Sequence, residues 1–60
     1  MLRYEDGFEV TLINTLGIWY ALVSHNGNHW FECSFKSKDR DTMVEYADTL
    51  IGTLGLQRIN

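Results

Sequence analysis

The sequence predicts an α+β domain: a three-stranded antiparallel β-meander with one C-terminal α-helix packed on one face, in the order β-β-β-α. Three observations carry this expectation. Asn26-Gly27 lies between two alternating apolar runs, and such an Asn-Gly link is the strongest short-range hairpin signal, because both central residues of a type I′ turn need positive φ. FEVTLI, residues 8–13, alternates ahead of that hairpin, as a half-buried strand does. From about residue 39 the period lengthens. Met43, Ala47, Leu50 and Leu54 fall at i, i+4, i+7 and i+11, one stripe of a helix. The strands are expected at about 8–13, 17–24 and 29–36 and the helix at about 39–54, in a single domain spanning 1–60.

In the first strand Phe8, Val10 and Leu12 alternate with Glu9, Thr11 and Ile13. Asn14-Thr15-Leu16-Gly17 is expected to form a bulged loop, with Gly17 in its left-handed position. An even register then sets Phe8, Val10 and Leu12 beside Ile18, Tyr20 and Leu22. Across Asn26-Gly27 the expected pairs are His25 with Asn28, Ser24 with His29, Val23 with Trp30 and Leu22 with Phe31, and so on without interruption. Directly opposed residues share a face. One face would hold Ile18, Tyr20, Leu22, Phe31, Cys33 and Phe35; the other would hold Trp19, Ala21, Val23, Trp30, Glu32 and Ser34. The helix is expected on the Phe8, Tyr20, Leu22, Phe31 and Phe35 side.

Ser37, Asp39 or Asp41 can cap the helix, and the two aspartates suit the positive end of its dipole. Val44, Tyr46 and Ile51 flank the stripe. Gly55 fits a left-handed helix end, with Leu56 packing back near Ile51. The tail LQRIN has two options, to extend along the sheet or to fray.

Sixty residues make one domain at most. A chain this short buries only about 60% of its unfolded surface. Its single cysteine, Cys33, excludes an internal disulfide and any multi-cysteine zinc site, and suits a reducing, cytoplasmic setting. MLRYEDG lacks a basic-then-apolar leader pattern, and no apolar run approaches the roughly 18 residues of a membrane span. A net charge of −3 and a pI near 5.0 argue against a phosphate-driven nucleic-acid binder. A hydrophobic content of 45% argues against a disordered acidic tail.

His25, His29 and Cys33 invite a metal or nucleophile reading. His29 and Cys33 share a strand and a face, but four residues at about 3.3 Å each separate them by roughly 13 Å. His25 flanks the turn on the opposite face. The expectation is therefore two turn histidines and a small buried thiol, with no metal, no cofactor and no catalytic group. Trp19 and Trp30 matter more. The expected register sets both on the uncovered face with Ile13, Ala21 and Val23, bordered by Glu9, Thr11, Glu32 and Ser34. An apolar patch with a polar rim marks an interaction site, and Trp is enriched at binding hot spots. Asp41, Glu45 and Asp48 recur at i, i+4 and i+7 as a carboxylate row on the outward helix face. Such a row is either an ordinary solvated face or a strip that meets a basic groove.

The order β-β-β-α is similar to sheet-reading DNA-binding modules of the Apetala and integrase N-terminal type. The stretch FKSKDRDTMVEYADTL resembles the last strand–helix junction of double-stranded-RNA-binding domains. Those resemblances imply a nucleic-acid partner, with the tryptophans stacking on bases. The charges differ: Glu9 and Glu32 stand on the sheet where such modules present Arg and Lys, and Asp39 and Asp41 stand where the RNA-binding domains place lysines. The leading expectation is a non-enzymatic protein-binding module, a small regulator or inhibitor of the kind phages and other mobile elements carry. It would use Ile13, Trp19, Val23, Trp30 and Glu32 on the sheet and Asp41, Glu45 and Asp48 on the helix. Two copies are expected to bury their tryptophan faces against each other as a homodimer. The sheet-reading nucleic-acid module is the alternative.

Overall fold

The computed structural model describes residues 1–60. It is an α+β fold with a four-stranded antiparallel sheet in place of three strands. The strands are β1 (Leu2–Arg3), β2 (Phe8–Thr15), β3 (Ile18–His25) and β4 (Asn28–Glu32), and the helix is α1 (Arg40–Gly52). They lie side by side in chain order. The additional strand, β1, pairs Leu2 with Val10 and Arg3 with Glu9. Two residues are too few to show a period of two. A single 3-10 turn, Glu5–Gly7, leads from β1 into β2.

Two turns set the register. At the first, Leu16 and Gly17 both have positive φ, 53° and 84°, the signature of a two-residue type I′ turn. The four-residue bulged loop does not form; pairing continues to Thr15–Ile18, and the Gly17 N–H donates to Asn14 Oδ1 at 3.2 Å. Phe8, Val10 and Leu12 therefore lie opposite His25, Val23 and Ala21, not beside Ile18, Tyr20 and Leu22. At the second, Asn26 and Gly27 have φ of 51° and 83°, and the pairs His25–Asn28 and Ser24–His29 form as the sequence predicts. Beyond them the ladder shifts by one. Val23 pairs with Phe31 and Leu22 with Glu32, so Trp30 is the extra residue of a β-bulge. The uninterrupted pairing of Val23 with Trp30 and Leu22 with Phe31 is thereby corrected.

Side chains alternate between faces, so each one-residue change moves a whole strand's set to the other side. α1 covers Phe8, Val10, Ala21, Val23 and Cys33, not the Tyr20 and Leu22 face. Met43, Ala47 and Ile51 come from the helix, at i, i+4 and i+8, and Leu2 and Tyr4 complete the buried core. Leu50 is only partly buried and Leu54 lies beyond the helix, 54% exposed. Phe31 and Phe35, expected under the helix, are 42% and 40% exposed. The side left uncovered carries Thr11, Ile13, Tyr20 and Leu22, with Glu9 and Glu32.

Asp39 caps α1. Its carboxylate accepts from the Thr42 N–H at 3.2 Å and the Thr42 hydroxyl at 2.7 Å, which holds it below the usual carboxylate range. After Gly52 the chain turns through a left-handed Gly55 (φ 79°), and Leu56 packs against the core as expected. The tail then extends instead of fraying. The Glu5 N–H donates to Gln57 O at 3.0 Å, the Ile59 N–H to Arg3 O at 2.8 Å, and Tyr4 bridges Arg58. The chain's own end thus lines the β1 edge of the sheet.

Candidate functional site

The opposite edge has no such cover. β4 pairs with β3 alone, and all five of its residues, Asn28–Glu32, are exposed. An edge strand offers unpaired N–H and C=O groups to any extended chain that approaches. The bulge gives this edge its character, because it turns Trp30 and Phe31 toward the end of α1.

Trp30 is held on one side and free on the other. Its ring stands edge-on to Phe8, with centroids 5.2 Å apart, and to His25 at 5.5 Å. Phe8 and His25 stack at 4.1 Å. His25 is itself fixed, since its Nε2 donates to Asp6 O at 2.9 Å. The Asn26 N–H donates to Gly7 O at 2.9 Å, which ties the hairpin turn to the 3-10 turn. Trp30 still leaves 53% of its surface in water.

Between β4 and the end of α1 lies an apolar cleft of about 160 Å³. Phe8, Val23, Trp30, Phe31, Leu50, Ile51 and Leu54 line it, with Thr53 as the one polar member. Metabolite and cofactor sites occupy roughly 300–1,000 Å³. This cleft has room for one or two apolar side chains. Phe31, Leu50 and Leu54 were not among the site residues read from the sequence, because the helical stripe and the expected register assign all three to the core.

The sequence-predicted site residues separate into several places. Trp30 rims the cleft. Val23 is in the core at 1% exposure. Trp19 lies half-buried on the helix side with the Arg40 guanidinium 5.8 Å from its ring. The two tryptophans therefore do not share an uncovered face; the odd β2–β3 register sets Trp19, Ala21 and Val23 on the side of Phe8, Val10 and Leu12, under the helix, and Trp30 packs on that side against Phe8. Ile13 and Glu32 are on the uncovered face, where with Thr15, Tyr20 and Leu22 they line a shallow hollow of about 250 Å³. Asp41 and Glu45 are exposed on the helix. Asp48 is engaged within the fold: it accepts from the Tyr4 hydroxyl at 2.7 Å and pairs with Arg58 Nε at 3.2 Å.

No group of three or more His, Cys, Asp or Glu side chains converges to hold a metal. Cys33 is 3% exposed, and burial pushes its thiol up from the ordinary value, against a lowering contact with the Tyr46 hydroxyl. A raised thiol is a poor nucleophile at neutral pH. An open groove of about 720 Å³ runs between the end of α1 and the tail, and its charged members, Asp48 and Arg58, are paired with each other. No helix is long and apolar enough to cross a membrane. Comparison with protein-family models, curated proteins and solved structures gives no match to this chain.

Proposed function

We propose that this chain is a small non-enzymatic protein-binding module, a regulator or inhibitor that occupies a partner protein's surface through its β4 edge. One observation carries the reading: Trp30, 53% exposed, stands on an edge strand whose outer side has no partner strand, beside a cleft with seven hydrophobic lining residues. That combination suits β-strand addition. Backbone hydrogen bonds along the edge supply affinity, and a pocket for alternate side chains supplies specificity. The sheet already takes such an arrangement at its other edge, where residues 57–59 run beside Arg3 and Glu5.

The partner would contribute an extended segment with one or two apolar side chains for the cleft. Asp41 and Glu45, one turn apart at the helix surface, would favour a partner with basic residues nearby, chiefly by speeding encounter. Trp19, Val23 and Asp48 have structural roles in this reading.

Affinity capture from the source cell tests it. Wild type and Trp30→Ser are immobilised in parallel, and a protein retained by the first and lost by the second is purified and titrated. Loss of about tenfold or more in affinity on Trp30→Ser supports edge binding. Equal affinity of a purified partner for both proteins contradicts it.

A further inference from the structure

We infer that the uncovered sheet face is a homodimer interface, independent of the β4 edge. One helix covers one side of the sheet, and the other side presents Ile13, Ile18, Tyr20 and Leu22, with Ile13, Tyr20 and Leu22 lining a shallow hollow. Ile13 is 41% exposed. At the tip of the same hairpin, Leu16 is 98% exposed in a left-handed conformation, φ 53°. A leucine held there contributes nothing to the core of a single copy.

Charge says which occupant fits. Four of the chain's charged residues belong to this face: Arg3 beside Glu9 at 3.5 Å, Glu32 opposite Leu22, and Lys36 with its Nζ 5.2 Å from the Tyr20 ring. Two cations and two anions sum to zero. The remaining three cations and six anions hold the whole net charge of −3. The face is thus neutral on an acidic protein, which favours a second copy over a strongly basic or acidic partner.

The signs are also placed for self-pairing. Arg3 and Glu9 sit toward the β1 edge, Glu32 and Lys36 toward the β4 edge. A twofold axis along the strands, between two packed sheets, sets β1 of one copy over β4 of the other. Arg3 then approaches Glu32 of the second copy, offset by two residues along the strand. A twofold contact repeats that pair on both sides.

Strands about 4.8 Å apart, rising about 3.3 Å per residue, give this face a flat footprint of about 400 Å². Side-chain relief raises that toward the low end of stable interfaces, about 600 Å² per copy. The dimer should therefore dissociate in the micromolar range. Both helices would lie outward, so Asp41 and Glu45 of the two copies stay apart.

Sedimentation equilibrium of the full chain tests the inference. Wild type should dimerise with a Kd of about 10–100 μM. Ile13→Lys, at a position where lysine can stay solvated in the monomer, should keep the circular dichroism spectrum and weaken dimerisation by at least about tenfold. Arg3→Glu and Glu32→Arg should each weaken it, and the double swap should restore it. A wild type that stays monomeric at several hundred micromolar overturns the inference. So does a dimer that Trp30→Ser dissociates and Ile13→Lys leaves intact, because that result means edge pairing through β4. A dimer that the charge swap fails to restore overturns the proposed alignment.

Discussion

The Tyr4 hydroxyl donates to Asp48 Oδ1 at 2.7 Å across 44 residues of chain. Asp48 in turn pairs with Arg58. The N-terminal strand, the middle of the helix and the C-terminal tail thus meet at one carboxylate. Tyr4 is 2% exposed, so its hydroxyl depends on that acceptor. Tyr4→Phe removes the bond but leaves Asp48 with Arg58 and with water. The expected loss is about 1 kcal/mol, read from the urea midpoint. An unchanged midpoint would mean that the three segments do not depend on this junction.

The same hydroxyl gives the protein an alkaline limit. Burial first, then the hydrogen bond to Asp48 and that residue's negative charge, push the Tyr4 phenol well above its ordinary value of 10.0. The folded state therefore favours the neutral phenol. Its contribution is fully present below pH 10, where the unfolded phenol is also protonated, and is lost as pH rises above 10 toward the raised folded value. Tyr4→Phe should flatten that part of the stability profile. A decline above pH 10 equally steep in both proteins would assign it to other groups.

The helix offers a ranking. Ile51 is 2% exposed in the buried row, whereas Leu50 is partly buried at the cleft. Ile51→Ala should cost about 2–5 kcal/mol and Leu50→Ala less than that. Thermal unfolding of the two variants checks the order. A more damaging Leu50→Ala would mean that α1 turns its Leu50 side, not its Ile51 side, to the core.

That ranking marks what the sequence made legible. Met43 and Ala47 were read correctly, because helical spacing identifies a stripe. The choice between Leu50 and Ile51 depends on the angle at which the helix meets the sheet, which periodicity does not encode. The Asn26-Gly27 hairpin was legible because its residues suit the turn's positive φ. The Leu16-Gly17 turn was not, since leucine is an unusual residue there and the strand pairing overrides its preference. That turn and the Trp30 bulge each shift the pairing of β3 with a neighbour by one residue, so β3 alone turns its other side, Trp19, Ala21 and Val23, to the helix, while Phe8, Val10, Phe31 and Cys33 keep the side expected of them. Ile13 and Glu32 lie on the open side as expected, because β2 and the part of β4 beyond the bulge keep their sides. β1 was missed because so short an extended segment becomes a strand only through pairing; for the tail, pairing along the β1 edge selects extension from the two options the sequence left open.

Leu16 can be improved. A left-handed non-glycine residue costs roughly 1–2 kcal/mol, and Asn relieves part of this by local hydrogen bonding. Leu16→Asn should raise the stability of the monomer by about 0.5–1 kcal/mol, measured by denaturation below the dimerisation range. A destabilised variant would mean that the Leu16 side chain makes contacts within one copy.

Amide hydrogen exchange on the protein bound to its captured partner tests the β4 assignment most directly. Edge addition predicts new protection at the exposed amides of residues 29–32, with little change in the central pairing of β2 and β3. Protection confined to α1, or to the tail beside β1, with β4 exchanging as in the free protein, would contradict it.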